Sequence, residues 1–261
     1  MTSLPTVVLV HGAWHTPPNY QSYITALQAQ GFTVHCPHLP TCNGARPPTA
    51  SQPDDIACVR ALVQQLVDAG KRVLMIMHSY GGVVGTGAVE GLSFAERKSA
   101  GQAGGVIHLL YMCAYILAPG STVWGIIREA KFDHLWDRYL DTAEDGTSVF
   151  KDPGLALFSG NADAQVVDAA LASLVPFPES AFHCPTAGSS WRTVPTTYVS
   201  TTKDYTVPHI YQEIMLGRVR EEGVEVKIVT YHADHSLFIT MEKEMVQTAL
   251  EAAADERNSR E

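Results

Sequence analysis

Residues 73–82 read Val-Leu-Met-Ile-Met-His-Ser-Tyr-Gly-Gly, an apolar run followed by a serine and two glycines. This pattern predicts a buried strand, a sharp turn at Ser79 and a helix that begins at the glycines. Such a turn raises the serine hydroxyl above the sheet edge and points it at the positive end of the helix. The usual motif is Gly-x-Ser-x-Gly, but Met77 stands in place of its first glycine. Ser79 is therefore a candidate nucleophile; the alternative is a serine that only caps the helix.

The rest of the chain alternates between short apolar runs and amphipathic segments. We predict strands at residues 6–10, 32–36, 72–77, 105–116, 195–200 and 224–230, and helices at residues 19–30, 54–70, 80–90, 208–222 and from residue 241 onward. This alternation predicts an α/β fold with a mostly parallel, doubly wound sheet of about six strands, covered on both faces. Residues 121–190 contain aromatic and amphipathic segments without a clear strand. We therefore predict a core of residues 1–118 and 190–261 and a helical cap of residues 119–189, inserted after the fourth strand.

Composition excludes several classes of function. A chain of 261 residues with 46% hydrophobic and 17% charged residues is expected to form one domain with an insertion. The net charge of -9 and the lack of a basic run argue against nucleic acid or an anionic membrane as partners. Five cysteines without C-x-x-C spacing fit free thiols, and no apolar run has membrane length. We expect a soluble cytoplasmic enzyme; a homodimer would be ordinary, although no segment predicts one.

A serine nucleophile needs an adjacent base, and the base needs an orienting carboxylate. In doubly wound sheets, functional residues collect beyond the carboxyl ends of the strands. Asp204 and His235 each follow a predicted strand, and with Ser79 they give the chain order serine, acid, histidine. The alternative for Asp204 is a carboxylate that only stabilises a turn. His232 is a second candidate for the base. We predict that Ser79, Asp204 and His235 converge as a catalytic triad.

Ester chemistry at such a site also needs donors for the oxygen on which negative charge develops. The backbone N–H of Tyr80 follows the nucleophile, and the loop after the first strand supplies a second N–H, which we assign to Ala13. We interpret His11, which lies behind that loop, as a structural residue that forms hydrogen bonds. We interpret His78 in the same way and expect its side chain to point away from the nucleophile.

Metal and cofactor motifs are weak in this sequence. His35, Cys36 and His38 lack a fourth ligand nearby, which argues against a metal site. The glycines at 81 and 82 lack the spacing and the lysine of phosphate-binding loops. We predict neither a metal nor a cofactor.

Taken together, residues Val8–His15 and Met77–Gly82 with Asp204 and His235 resemble the α/β-hydrolase superfamily over essentially the whole chain. The resemblance is to its small cofactor-free branch of plant esterases and hydroxynitrile lyases, and to fungal and bacterial hydrolases with His-Ser-Tyr-Gly-Gly motifs. It implies the α/β-hydrolase fold, the triad named above and the oxyanion donors Ala13 and Tyr80. Ser236 stands where the cyanohydrin lyases carry a lysine, so cyanide elimination is not expected.

The sequence therefore predicts a serine hydrolase, an esterase or lactonase, that cleaves a carboxylic ester or lactone of a small apolar or aromatic substrate through an acyl-enzyme. We predict that Trp14, Trp124 and Trp191 line the substrate pocket; the alternative is that they pack in the core. Two other functions remain open. One is a cofactor-free lyase or cyclase that uses His235 as a general base in the same pocket, and the other is a non-catalytic ligand receptor.

Overall fold

The computed structural model describes residues 4–255. In chain order, its strands are β1 (Thr6–Val10), β2 (Val34–His35), β3 (Arg72–His78), β4 (Gly105–Met112), β5 (Leu140–Thr142), β6 (Thr147–Phe150), β7 (Phe177–Pro178), β8 (Thr196–Thr201) and β9 (Val226–Tyr231). The main sheet has the order β2-β1-β3-β4-β8-β9, and all neighbouring strands in it are parallel. The predicted α/β fold with six parallel strands is confirmed.

The α-helices are α1 (Gln21–Ala29), α2 (Gln52–Asp68), α3 (Gly81–Ala88), α4 (Phe94–Ser99), α5 (Val123–Glu129), α6 (Trp136–Tyr139), α7 (Pro153–Leu157), α8 (Ala164–Ala172), α9 (Ser180–His183), α10 (His209–Glu221), α11 (Leu237–Thr240) and α12 (Glu242–Ala253). Of the helices in residues 4–255, none combines the length and the apolar character needed to cross a membrane.

Alternate residues of the central strands face opposite sides of the sheet, as the two-residue period of a strand requires. Val8 and Val10 of β1 pack into a core that also contains buried residues of α2 and α3. Val7 and Leu9 pack on the other side, against buried residues of α1 and α12. Both faces of the sheet are therefore covered by helices, which explains why β1 and β3 are almost continuously apolar.

Some predicted boundaries are wrong. The strand predicted at residues 32–36 contains only Val34–His35, and the one predicted at 105–116 ends at Met112. The short helix α4 was not predicted. It begins after Ser93, whose hydroxyl oxygen accepts a hydrogen bond from the backbone N–H of Glu96, a helix start signal that the sequence contains.

The prediction of a purely helical cap is also wrong. Residues 119–189, hereafter the insertion segment, contain helices α5–α9 but also a small antiparallel sheet of β5, β6 and β7. The turn between β5 and β6 contains Asp145-Gly146, and Gly146 has a φ of +83°. Asp-Gly between two short strands is a strong hairpin signal, because glycine adopts positive φ at little cost. The boundaries of the insertion segment remain predictions.

Close backbone packing explains the glycines that follow Ser79. A Cβ at Gly81 would lie 2.3 Å from the carbonyl oxygen of Val10, and a Cβ at Gly82 would lie 2.4 Å from that of Tyr115. The start of α3 therefore packs directly on the end of β1 and on the loop that follows β4. A Cβ at Gly85 would lie 2.3 Å from Sδ of Met77. Because Gly85 has no side chain, the methionine that replaces the first glycine of the motif has room.

We expect Gly81→Ala to lower the free energy of unfolding by more than about 2 kcal/mol, because the new methyl group must displace a backbone carbonyl. Gly217→Ala is the matched control, since no neighbouring atom lies within 4 Å of a Cβ at that position of α10. It should raise stability by about 0.5–1 kcal/mol through helix propensity. Chemical denaturation measures both; equal effects of the two substitutions would contradict this account of the packing.

Candidate active site

Four loops meet at the carboxyl edge of the main sheet. Ala13 lies in the loop after β1, Ser79 directly after β3, Asp204 after β8 and His235 after β9. The chain leaves β1 for β2 on one side and returns to β3 on the other, so the β1–β3 boundary is the topological switch point. Functional sites of doubly wound sheets form there. The strand order therefore places the loop of Ala13 beside the turn of Ser79.

Ser79 occupies a strained turn between β3 and α3. Its φ of +54° is unusual for a residue with a side chain. The turn is held by the carbonyl oxygen of Ser79, which accepts hydrogen bonds from the backbone N–H groups of Gly82 and Tyr115, both at 3.0 Å. This geometry matches the predicted turn, and the serine lines a cavity at the sheet edge.

Asp204 is the acceptor for His235. Its Oδ1 accepts hydrogen bonds from the backbone N–H groups of Thr206 at 2.8 Å and Val207 at 2.7 Å. Its Oδ2 accepts hydrogen bonds from the Thr201 hydroxyl at 3.1 Å and from Nδ1 of His235 at 2.8 Å. Both side chains are buried, with exposures of 0% and 1%. The carboxylate is thus fully hydrogen-bonded and orients the ring.

The other nitrogen of His235 is available for proton transfer. Because a carboxylate only accepts hydrogen bonds, Nδ1 carries the proton and Nε2 carries the lone pair. Nε2 is buried, and within the described residues it has no hydrogen-bond partner. The Ser79 hydroxyl is not hydrogen-bonded to it in this conformation; such contacts are often long without substrate and tighten when substrate binds. The alternative base His232 is exposed and pairs with the Thr202 hydroxyl at 2.8 Å instead of a carboxylate.

Two backbone N–H groups fit the predicted role of oxyanion donors. Ala13 and Tyr80 both line the cavity that contains Ser79. Across residues 4–255, neither of their N–H groups donates a hydrogen bond to another part of the chain. The loop of Ala13 is constrained by Trp14, which has a φ of +62° and whose indole N–H donates to the carbonyl oxygen of Ser148 at 3.0 Å.

A hydrogen-bond chain joins this loop to His235. The backbone N–H of Gly12 donates to the Tyr20 hydroxyl at 3.0 Å, and that hydroxyl donates to Nδ1 of His78 at 2.6 Å. Nε2 of His78 then donates to the backbone carbonyl oxygen of His235 at 2.9 Å. The directions follow from the His235 end: a carbonyl oxygen only accepts, so the one proton of the neutral His78 ring is on Nε2, and Nδ1 accepts from the Tyr20 hydroxyl. His78, predicted to be structural and to point away from the nucleophile, therefore holds the backbone of the proposed base.

Three buried histidines in this region are neutral. Burial lowers the pKa of His11 to about 4 and that of His15 to about 3. Burial and the neighbouring ring of His235 also hold the pKa of His78 well below its usual range. His11 receives a hydrogen bond at Nε2 from the backbone N–H of Leu39 and donates one from Nδ1 to the carbonyl oxygen of Gly12. The structural role predicted for His11 agrees with these contacts.

The cavity around Ser79 has a volume of about 330 Å³ and is lined mainly by aromatic and aliphatic side chains. Trp14 lines it, but the structure places Trp124 and Trp191 outside it, which corrects the prediction for these two residues. Trp124 is half-buried and packs edge-on against the wall residue Trp136, with ring centroids 5.1 Å apart. Trp191 is 1% exposed and donates its indole hydrogen bond to the carbonyl oxygen of Leu117, so it is a core residue.

Most of the wall was not predicted. The missed hydrophobic lining residues are Tyr115, Val123, Ile127, Phe132, Leu135, Trp136, Tyr139, Leu140, Phe150, Phe182, Tyr205 and Tyr211. Many of them belong to the insertion segment, whose aromatic content is visible in the sequence. Sequence alone does not distinguish an aromatic ring that faces a cavity from one that packs in the core, since both need an apolar side chain.

One group of side chains has the composition of a metal site. The donor atoms of His78, Cys113 and His235 lie within 4.8 Å of one another. However, both nitrogens of His78 are used in the hydrogen-bond chain, and Nδ1 of His235 is bound to Asp204. Burial also raises the pKa of the Cys113 thiol, which disfavours the thiolate that binds metals. These residues therefore serve the hydrogen-bond network and do not form a ligand set.

Comparison with known proteins agrees with this architecture. The sequence model of the "Alpha/beta hydrolase family" matches residues 7–248. The alpha/beta hydrolase nvfD of Aspergillus novofumigatus (strain IBT 16806) is 25% identical over 210 residues, which cover 80% of this chain and 81% of that protein.

Solved structures also share the fold. The pyrethroid hydrolase from Sphingobium faniae JZ-2 has a TM-score of 0.72 and 18% identity, covering 97% of this chain and 99% of that chain. The methylesterase MES16 from Arabidopsis has a TM-score of 0.72 and 20% identity, covering 96% of this chain and 99% of that chain. At these identities the likeness concerns the fold.

We expect Tyr20→Phe to lower kcat about tenfold, because it breaks the hydrogen-bond chain between Gly12 and His78 and leaves buried polar groups unpaired. Tyr23→Phe is the matched control three residues along the chain, in α1, since its buried hydroxyl donates to the carbonyl oxygen of Met245 and not to the chain that joins Gly12 to His78. Both variants should lose about 1 kcal/mol of stability. Steady-state kinetics with an aryl ester checks the difference; equal kcat values for the two variants would refute a role of the chain in positioning.

Proposed function

The chain belongs to the alpha/beta hydrolase family, and we propose that it is a serine hydrolase that cleaves a carboxylic ester or lactone through an acyl-enzyme. The family supports hydrolase chemistry in general. The main observation in favour of ester cleavage through an acyl-enzyme is the hydrogen-bonded pair of Asp204 and His235. This pair is buried at the same sheet edge as the strained turn of Ser79. A fully hydrogen-bonded carboxylate, an oriented imidazole with a free nitrogen and a serine at a nucleophile turn are the parts that acyl transfer needs.

In the proposed reaction, Nε2 of His235 takes the hydroxyl proton of Ser79 while Oγ forms a bond to the carbonyl carbon of the substrate. Asp204 stabilises the imidazolium that results, and the N–H groups of Ala13 and Tyr80 donate hydrogen bonds to the oxyanion. His235 then returns the proton to the departing alkoxide, and the ester bond breaks. Water, deprotonated by His235, attacks the acyl-enzyme and releases the carboxylic acid with regeneration of the Ser79 hydroxyl.

The cavity supports an apolar or aromatic substrate of modest size. It is lined by aromatic rings such as those of Trp136, Phe150 and Phe182, and among the described residues no lysine or arginine lines it. A carboxylate or phosphate on the substrate would therefore meet no lysine or arginine at the wall. Two of the structures with the same fold are named as a pyrethroid hydrolase and a methylesterase, which agrees with esters as the substrate class.

We expect Ser79→Ala to lower kcat for aryl esters by roughly 10⁴- to 10⁶-fold, because the parts of a triad act as a unit. It should also abolish covalent labelling by a fluorophosphonate. Ser190→Ala is the matched control: this buried serine donates to the carbonyl oxygen of Thr86 and does not line the cavity. The control should keep its labelling and its turnover. A loss of activity below tenfold in Ser79→Ala would defeat the proposal.

The two other functions give different results in the same assays. A lyase or cyclase that uses His235 as a general base would turn over without trapping Ser79, and its product would take up no oxygen from ¹⁸O-labelled water. Hydrolysis places one labelled oxygen in the acid product. A ligand receptor would bind ligand equally well with and without Ser79 and show no turnover across a panel of aryl esters and lactones.

A further inference from the structure

Asp55 is a buried carboxylate that the proposed reaction does not use. It lies in the first turn of α2, and its exposure is 0%. Its Oδ1 accepts a hydrogen bond from the backbone N–H of Thr41 at 2.9 Å, and its Oδ2 accepts one from the Thr41 hydroxyl at 2.7 Å. The third donor is the Tyr80 hydroxyl, 3.0 Å from Oδ2. Asp55 is thus bonded to the residue that directly follows the proposed nucleophile.

Capping of α2 does not explain why Asp55 is buried. The start of this helix is already capped by Ser51 and Asp54, which form a capping box in which the Asp54 carboxylate accepts hydrogen bonds from the N–H and hydroxyl of Ser51. Burial of a carboxylate is unfavourable unless hydrogen bonds replace those it made with water. For Asp55 the replacing hydrogen bonds come from Thr41 and Tyr80. The carboxylate therefore links three segments: the loop before α2, α2 itself and the turn of Ser79.

The side chain of Tyr80 is restrained along its whole length. Its hydroxyl is held by Asp55, and its ring packs edge-on against Phe177, with centroids 5.0 Å apart. Phe182, a cavity wall residue, lies edge-on at 6.3 Å. The backbone N–H of Tyr80 is one of the two proposed oxyanion donors. Because a shift of about 1 Å in such a group costs about 100-fold in rate, fixing the side chain helps to fix the donor.

We propose that Asp55 is a positioning residue of the oxyanion hole: its ionised carboxylate holds the Tyr80 hydroxyl and thereby keeps the Tyr80 backbone N–H directed at the reacting carbonyl oxygen. This inference rests on the proposed function of Ser79. The proton of the Tyr80 hydroxyl stays on Tyr80 throughout, and Asp55 touches neither substrate nor nucleophile.

The link is sensitive to pH. Burial raises the pKa of the Asp55 carboxyl to about 6, with hydrogen bonds from Thr41 and Tyr80 opposing and the nearby charge of Asp54 adding to the rise. Below this pH the carboxyl is protonated, and its oxygens become weaker acceptors for the Tyr80 hydroxyl. The link is therefore present above about pH 6 and is lost as the pH falls through that value.

The other titratable groups around Asp55 do not titrate in the same range. Tyr80 faces it from the turn before α3, Cys42 from the loop before α2, and Cys58 from its own helix. Burial raises the pKa of all three groups, so they stay neutral near pH 6. Asp54 is the remaining neighbour; its hydrogen bonds with Ser51 lower its pKa, so it stays ionised there.

The test is the ratio of kcat/KM between wild type and Asp55→Asn, measured with an aryl ester between about pH 5 and pH 8. The neutral amide imitates the protonated carboxyl, so the two enzymes should converge at low pH. At about pH 8 we expect kcat/KM of wild type to exceed that of Asp55→Asn roughly 10-fold, and the difference should lie in kcat and not in KM. At about pH 5 the ratio should fall to about 1. Its midpoint should lie near pH 6. Any pH dependence that the two enzymes share cancels in the ratio.

Two further variants make the test specific. Tyr80→Phe removes the hydroxyl and keeps the N–H, so its ratio to wild type should show the same pH dependence, and adding Asp55→Asn to it should change kcat/KM by less than about twofold. Tyr80→Phe also serves as the test if Asp55→Asn does not fold in a thermal melt. Asp54→Asn is the matched control one residue away: it keeps the bond between Asp55 and Tyr80, so wild type and control should have equal kcat/KM at the upper end of the pH range. Because loss of the Asp54 charge lowers the Asp55 pKa, the control should be slightly faster than wild type only near and below about pH 6.

A ratio that is constant with pH, or equal to 1 throughout, would overturn this inference. Its failure is separable from failure of the proposed function. If Ser79→Ala abolishes turnover and labelling while the Asp55 ratio is flat, only the role of Asp55 is wrong. If Ser79→Ala retains activity, the proposed function itself fails. The rate of fluorophosphonate labelling gives the same ratio independently of ester turnover, because its phosphoryl oxygen occupies the oxyanion site.

Discussion

The buried hydrogen bond between Asp204 and His235 depends on strands β8 and β9 ending at the same level of the sheet. Each of the two residues lies in the loop that follows one of these strands. These strands are neighbours in the sheet and pair in parallel from Thr196 to Thr201, so their carboxyl ends are level. The bond joins side chains that are almost entirely excluded from water. A lone buried carboxylate is expensive, and here four donors satisfy it. The parallel register is therefore the constraint on which the proposed site depends.

Strands β1 and β3 are likewise neighbours that pair in parallel, from Thr6 with Val73 to Val10 with Met77. The start of α3 has no side chains at Gly81 and Gly82, so its backbone packs directly on the end of β1 and on the loop after β4. The network through Tyr20 and His78 then ties this half of the site to the backbone of His235. Asp55 anchors the far side of Tyr80. The molecule thus holds the proposed donors and the proposed base by interactions that lie outside the cavity.

Position along the chain was enough to predict much of this arrangement. Ser79, Asp204 and His235 could be selected because each follows a predicted strand, and parallel strands of one sheet end at a common edge. The roles of Tyr20, His78 and Asp55 could not be predicted in this way, because they depend on which buried polar atoms meet after packing. Trp124 and Trp191 were misplaced for a related reason, since a tryptophan is equally suited to a cavity wall and to a core.

The central claim is that the Ser79 oxygen becomes covalently bonded to the acyl group of the substrate. The most direct measurement is mass spectrometry of the enzyme quenched during turnover of an aryl ester, followed by digestion and identification of the modified peptide. We expect an added acyl mass on the peptide that contains Ser79, and its loss when turnover is allowed to finish. Full turnover with unmodified Ser79, or an adduct on another residue, would contradict it.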